Sequence, residues 1–325
     1  MIKLGIIACS NGMGHISRSI KLANFLSKQY SVYLITDKKK FEIINNNKKI
    51  KIIDTKNILN INLTEKKYNQ NWWYKIKKKI LKNNIKILIS DNLPEVVNFG
   101  LKCLIISNFF WHNLFNLKNR KIKSTISKIK ANQIQIYRNV IFKTKNSKIK
   151  YFGFIGSPKK SNLNKKNLLI SFGSNDKIDK KLSIQICNFI KKNSKNYKIF
   201  LEKKYFENFK NVYKKNKNIF IADFSDYMFS KIGIAIIKPG FGTIQKCFEN
   251  KIYPITFTEQ LNKEFKNNAR KLKQYNLGYS LNKFSDCLKI LETKEKFKIN
   301  FPKIMYHGEN KIINDLNKLS NNQKI

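Results

Sequence analysis

Several features that would place a chain outside the cell, across a membrane or around a zinc ion are missing here. The five cysteines, Cys9, Cys103, Cys187, Cys247 and Cys287, are scattered over 325 residues without a CxxC spacing. That excludes a disulfide framework and a zinc ribbon, and it is the cysteine usage of a reducing compartment. No apolar run approaches the ~18–20 residues of a membrane span. The longest candidate, 93–117, is interrupted by Glu95, Lys102 and His112. The first residues, Met1–Ile2–Lys3, lead into a short apolar run and a glycine turn with no small-residue cleavage site, so no secretory signal is expected. Acidic side chains are scarce, 20 against 66 basic, and only four of the basic residues are arginine. The expectation is a cytoplasmic chain.

What is present is a large apolar fraction, 42% hydrophobic and 13% aromatic, enough for two domains of ~150 residues each. The formal charge of +46 invites a nucleic-acid reading. The lysines, however, run along the whole chain, interleaved with Asn and Ile, as in 45–51, 77–86 and 203–217. Arginine, the better residue for bidentate phosphate and guanine contacts, is nearly absent. The pattern reads as a compositional bias on solvated faces rather than a nucleic-acid stripe. A second consequence is a field that attracts anionic phosphates or lipid headgroups. On that ground a peripheral contact of the first domain with an anionic membrane is an expectation.

Lys3 to Cys9 (KLGIIAC) is a short apolar run, the mark of a buried parallel strand. A turn, Ser10 to His15, follows, and then Ile16, Ile20, Leu22, Ala23 and Leu26 recur at helical spacing. Strand, glycine turn and helix open a βαβ unit. Further strands are predicted at 31–36, 49–53, 85–90 and 103–107, with helices over 66–81 and 116–131. Around Gly153 to Pro158 the alternation breaks, and 159–167 reads as a linker. It then restarts, with strands at 168–172, 197–201, 219–222, 233–237 and 253–257 and helices at 180–192, 264–275 and 308–319. The pattern specifies an α/β protein of two Rossmann-like domains, 1–157 and 158–325, facing across a cleft. The last helix has the option of packing back on the first domain.

In open parallel sheets ligands bind beyond the carboxyl ends of strands, and four segments fall there. Gly12–Met13–Gly14–His15 follows the first strand. Its glycines let backbone amides approach an anion at a helix N-terminus, but it is not the GxGxxG fingerprint. His15, one of three histidines, is a candidate general base near neutral pH, or else a helix N-terminal residue donating to a carbonyl. Arg18, one turn on, is placed to hold a phosphate or carboxylate or to lie at the surface. Lys238–Pro239–Gly240–Phe241–Gly242–Thr243 offers two glycines, a hydroxyl and a helix start, a phosphate cradle. Ser171–Phe172–Gly173–Ser174–Asn175 suits either a ligand at the sheet's lip or a plain tight turn. Glu259, Gln260, Glu264 and Asn268 offer carboxylates and amides to sugar hydroxyls, Glu264 being equally a helix N-terminal charge. Asn92, Trp111 and His112 complete the candidates.

Taken together, SNGMGHISR, IAIIKPGFGTIQKCFENKIYPITF and EFKNNARKLKQYNLG resemble the GT-B glycosyltransferases, in particular the group of the lipid II-forming N-acetylglucosaminyltransferase and the UDP-glycosyltransferases. The resemblance covers the chain in order. It implies a nucleotide-sugar donor, a UDP-sugar by preference, held mainly by the second domain, and an acceptor hydroxyl or amine bound by the first. It further implies that Gly240, Gly242 and Thr243 hold the diphosphate with Gly173 and Ser174 nearby, and that Glu264 touches the donor sugar. His15 would be the base, or with Gly12, Gly14 and Arg18 a diphosphate contact. Departures stand out: where the family has a ribose-gripping Glu this chain has Lys246, with Glu249 about one turn further, and Phe265 stands where Gln is common. No Asp-x-Asp motif occurs, which fits a metal-independent reaction without a cofactor. GMGH-x-x-R is also similar to the UDP-sugar hydrolase of the pseudaminic acid pathway, in which the matching His activates water.

Overall fold

The computed structural model describes residues 1–9, 13–44, 50–56, 72–108, 120–142, 149–159, 167–172, 180–208, 216–259, 263–292 and 306–321. The chain divides into two compact units. The first is Met1–Gly156 together with Ile304–Ile325, the second Ser157–Lys303. Each is built on one parallel sheet with helices as crossovers.

The sheet of the first unit contains β1 (Lys3–Ala8), β2 (Ser31–Thr36), β3 (Lys51–Asp54), β4 (Ile87–Asp91), β5 (Lys102–Ile106), β6 (Gln135–Asn139) and β7 (Ile149–Phe152), in the order β3-β2-β1-β4-β5-β6-β7. All pairings are parallel. The central strands carry apolar side chains on both faces because both are covered. Leu4, Ile6, Ile87 and Ile89 join the core beneath the helices Met13–Leu26 and Gly308–Asn321. Ile7, Leu88 and Ile105 join the core on the opposite face, with Ile76, Ile80 and Ile129 of the helices Trp72–Lys82 and Arg120–Ala131. A 3-10 turn, Pro94–Phe99, follows β4 and ends on Gly100 in the left-handed region, φ 71°.

The second unit contains β8 (Asn167–Ser171), β9 (Lys198–Leu201), β10 (Ile219–Ile221), β11 (Ile234–Ile237), β12 (Tyr253–Phe257) and β13 (Tyr279–Leu281), ordered β10-β9-β8-β11-β12-β13 and again parallel throughout. Phe172 anchors its core, edge-on to Tyr205, Phe257 and Phe284 at centroid separations of 5.3–5.4 Å. Such T-shaped contacts match the positive edge of one ring to the negative face of the next.

Most strands anticipated from apolar runs lie within two residues of where they were expected. β6, β7 and β13 were not anticipated, and their composition explains it. Gln-Ile-Tyr-Arg-Asn and Ile-Lys-Tyr-Phe mix polar and aromatic residues near a sheet margin, so no continuous apolar run marks them. Residues 66–71, 116–119 and the linker core 160–166 lie outside the described residues.

In both sheets the chain winds outward one way from the first strand and then returns to wind the other way. The reversal falls between β1 and β4 in one sheet and between β8 and β11 in the other. Such a reversal leaves a crevice at the carboxyl ends of the two strands, where open α/β sheets bind ligands.

Where the chain has returned to the first unit, the Gly308 amide donates to the Phe154 carbonyl at 2.9 Å while that of His307 donates to the Gly156 carbonyl at 3.0 Å. A Cβ on Gly308 would stand 2.1 Å from the Gly153 carbonyl oxygen. Backbone, not a pliable side chain, occupies the space. Gly308→Ala should therefore destabilise the protein by roughly 2 kcal/mol or more, read as a lowered midpoint in urea. An unchanged midpoint would contradict this packing.

Candidate active site

The reversal point of the first sheet brings two distant segments together. β1 ends at Ala8, and the helix Met13–Leu26 presents His15 in its first turn. β4 ends on Asp91, which the parallel register sets opposite Ala8. The His15 Nδ1 lies 2.9 Å from Asp91 Oδ1. Arg18 Nε donates to Asp91 Oδ2 at 2.9 Å, its Nη2 donates to Oδ1, and the Ser19 hydroxyl donates to Oδ2 at 3.2 Å. Residues 15, 18 and 19 share a helix face because three and four residues make about one turn. One carboxylate thus accepts from three side chains.

Asp91 is 1% exposed. Burial by itself pushes its carboxyl up, but the Arg18 charge and the hydrogen bonds from His15 and Arg18 outweigh that and hold it far below the usual carboxylate range. The group is an anion in the folded protein. An ionised carboxylate only accepts, so the His15 Nδ1 carries the hydrogen. The Arg18 Nη2, 3.4 Å from the same nitrogen, is then a second donor aimed at the same oxygen. This tautomer leaves the Nε2 lone pair directed away from Asp91. His15 is the accessible end of the group, its side chain 23% exposed against 6% for Arg18. A fixed, ionised carboxylate behind Nδ1 and a bare Nε2 in front is the arrangement of a general base.

Gly14 lies in the same first helical turn, and Gly12 lies outside the described residues. Arg18, considered above for an external phosphate or carboxylate, is buried with its guanidinium on the protein's own Asp91. Asp91 itself was not among the residues singled out from sequence. Asn92, beside it, adopts φ 65° and accepts from the Ser107 hydroxyl at 2.7 Å.

In the second unit, the reversal point carries Lys238–Pro239–Gly240 between β11 and the helix Phe241–Glu249. Gly240 is the N-cap residue and supplies no side-chain cap, so the first-turn amides, those of Gly242 and Thr243 among them, have no intrahelical acceptor. The backbone at Gly240, φ −70° and ψ 135°, is open to any residue, and a Cβ there would meet only Phe265 Cε1 at 3.8 Å. Neither conformation nor packing within the fold calls for glycine at this position. The Lys238 ammonium lies 4.4 Å from the Phe265 ring centroid, which keeps a cation beside the helix N-terminus. Asn268, on the helix Lys263–Gln274, donates through Nδ2 to the Pro239 carbonyl at 2.8 Å and is buried. It secures the glycine loop from behind.

Glu264 is half-buried in the first turn of that same helix. Glu249 is buried at the far end of its helix, accepting from Gln245 Nε2 at 2.8 Å, and lies about 13 Å along the axis from Gly240. It is not brought to the loop. Lys246 donates to Asp226 at 2.7 Å, and Lys159 pairs with the same carboxylate at 2.6 Å. Gly173, Ser174, Asn175, Gln260, Trp111 and His112 lie outside the described residues. Nearby, the buried Glu202 accepts from the Ser171 hydroxyl and the Phe172 amide at the carboxyl end of β8, a contact not anticipated.

No protein family matches the chain by sequence, and no curated protein matches it either. Solved structures do match by fold. Glycyrrhiza uralensis UGT73P12, complexed with glycyrrhetinic acid 3-O-monoglucuronide, superposes with a TM-score of 0.63 at 12% identity, over 99% of this chain and 97% of its own. Arabidopsis thaliana UGT89C1, complexed with UDP-L-rhamnose, gives 0.63 at 10% identity over 98% and 94%. The glycosyltransferase SnogD from Streptomyces nogalater gives 0.59 at 10% identity over 90% and 91%. The chain has the two parallel-sheet α/β domains of the GT-B glycosyltransferase fold.

Because the folded-state carboxyl of Asp91 is depressed, its stabilisation is complete above the unfolded value of ~3.9 and is lost as pH falls through the folded one. Asp91→Asn leaves the buried Arg18 without its counter-charge and should cost roughly 3–5 kcal/mol at pH 7. The gap between wild type and variant should narrow as unfolding is measured at successively lower pH below ~4. A gap independent of pH would contradict an ionised Asp91.

Proposed function

We propose that the chain is a glycosyltransferase that moves a sugar from a nucleotide-diphosphate donor, a UDP-sugar, to an acceptor hydroxyl or amine. The observation that carries the reading is the His15–Asp91 pair, an imidazole with Nδ1 tied to a buried carboxylate and Nε2 available at a carboxyl-edge crevice. The fold supports it, and so does the uncapped helix start after Pro239. In this reading His15 Nε2 takes the proton of the acceptor group as its oxygen or nitrogen attacks the anomeric carbon. Asp91 stabilises the imidazolium that forms. The bond from the anomeric carbon to the diphosphate oxygen breaks, and negative charge gathers on the departing nucleoside diphosphate.

Backbone amides of Gly242 and Thr243, the Thr243 hydroxyl and the Lys238 ammonium are the groups suited to receive that charge. Ser174 and Gly173 belong to the same reading by their place after β8, and Glu264 by its place in the resemblance as the contact to the donor sugar. Asn268 acts through the loop it holds.

His15→Ala should lower turnover by ~10² or more while leaving UDP affinity in place. Gly240→Ala should leave the unfolding free energy within about 1 kcal/mol of wild type, since nothing in the fold fills the space. It should weaken UDP binding, measured by calorimetry, by tenfold or more. Full turnover in the first variant removes His15 from the chemistry, and undiminished UDP affinity in the second removes the cradle. Incubation with a UDP-sugar and no acceptor separates transfer from hydrolysis: sugar release in buffer alone would make water the nucleophile His15 activates.

A further inference from the structure

β10 forms one edge of the second unit's sheet, with β9 on one side and, among the described residues, no strand on the other. Its ladder decides which backbone groups are already used. The Asn218 carbonyl accepts from the Ile199 amide at 2.8 Å, and the Ala222 amide donates to the Leu201 carbonyl at 2.7 Å. Backbone groups alternate sides along a paired strand, so 218, 220 and 222 address β9 while Ile219, Ile221 and Asp223 turn theirs outward. The Ile219 amide is taken by the Asn216 carbonyl at 3.2 Å, in the turn that enters the strand. What points away from the sheet is the amide and carbonyl of Ile221, the Ile219 carbonyl and the Asp223 amide.

Native edges of this kind are blunted by a lysine, a proline or a bulge. β10 reads Ile-Phe-Ile without any of these, and it exposes Phe220 by 38% and Ile221 by 46%. Phe220 stacks on Phe200 of β9 at a centroid separation of 5.2 Å. Phe224 and Tyr227 carry exposed aromatic surface beyond the strand, and Phe224, at φ 56°, ends the extended stretch. Within 216–225 the sequence has two charges, Lys217 near one end and Asp223 near the other, both exposed.

We propose that β10 is the docking edge for a second copy of this chain, paired antiparallel about a two-fold axis at Ile221. Such a dimer needs a self-complementary patch, and this edge is one. The two Ile221 residues exchange amide and carbonyl, and each Asp223 amide donates to the Ile219 carbonyl across the axis. That makes four bonds from groups this sheet leaves unused. A register centred on Phe220 would call twice on the Ile219 amide, which the turn already holds. Each Phe220 ring faces the small Ala222 of the other copy, and each Lys217 lies diagonal to Asp223 across the axis, within reach of a long side chain. Parallel pairing would set like charge beside like. The net charge of +46 opposes association at low salt. At physiological ionic strength, however, charges more than about 8 Å apart are largely screened, which leaves the close Lys217–Asp223 pairs as the electrostatic contribution. None of this depends on the sugar-transfer reading.

Sedimentation equilibrium of the full chain at about 0.15 M salt, with hydrogen exchange of 216–224 followed by mass spectrometry, tests the edge. The wild type should form a concentration-dependent dimer, and exchange in 216–224 should slow as it forms. Ile221→Pro removes the central outward donor while leaving the bonds to β9 in place, and it should abolish the dimer. Lys217→Asp sets two carboxylates together and should weaken the dimer by about tenfold or more, whereas K217D combined with D223K should recover most of it. The single variant keeps the Asp223 carboxylate on the Ser225 amide at 2.9 Å, so the helix that follows is undisturbed. A wild type that stays monomeric to about 100 µM, weaker than a standard interface would be, leaves the edge to some other partner and overturns the proposal. A dimer in which 216–224 exchanges as in the monomer, or which Lys217→Asp leaves unchanged, overturns it as well. Should I221P fail to fold, the charge exchange decides by itself.

Discussion

The carboxylate of Asp91 is the point on which the first unit's chemistry turns. One buried anion collects His15, Arg18 and Ser19 from a single helix face and ties them to the end of β4. Taking a carboxylate out of water is costly unless charge and hydrogen bonds replace its solvation. Here Arg18 supplies the charge and the other two supply directed donors. The consequence for function is orientation: with Nδ1 committed, the imidazole has one ring nitrogen left to act as a base. The helix Met13–Leu26 and the strand that ends at Asp91 are therefore coupled through the same group that would set the reactivity of His15.

The second unit solves a different problem with the same topology. Its reversal point lies between β8 and β11, and there it exposes backbone instead of a side-chain base. Asn268 restrains the Pro239 carbonyl, Gly240 keeps the helix start bare of any side chain, and Lys238 stands by on the face of Phe265. Preorganised amides of this kind stabilise charge that develops in a reaction because they need no rearrangement when it appears. The proposed base and the proposed cradle thus arise from one sheet topology, through a side chain in one unit and main chain in the other.

Much of this was legible in the sequence wherever a local pattern carried it. KLGIIAC followed by a glycine turn, and IAIIKPG followed by FGT, announce strand, turn and helix by composition alone, and they marked His15 and the Gly240 loop. What escaped was nonlocal. Asp91 closes an apolar strand and looks like any strand-end acid until β1 and β4 pair and bring it to His15, 76 residues away in the chain. Arg18 was readable as a basic residue on the right helix face, but not as one buried on a carboxylate. Asn268 resembled a sugar contact, and only the fold shows its amide on the Pro239 carbonyl. β6 was missed because its alternation serves two different environments, Tyr137 toward Asp315 and Arg138 toward the opposite face. The charge excess was plain from composition, yet the burial of Arg138 without a hydrogen-bond partner for its Nε was visible only in three dimensions.

The most direct measurement of the central claim is the tautomer of His15, read from its ring nitrogen-15 shifts at neutral pH and assigned by loss of the signal on replacing His15. The account requires a hydrogen on Nδ1 and a lone pair on Nε2, with that preference abolished when Asp91 is changed to Ala. A neutral ring protonated on Nε2 in the wild type, or a tautomer ratio indifferent to Asp91, would contradict it.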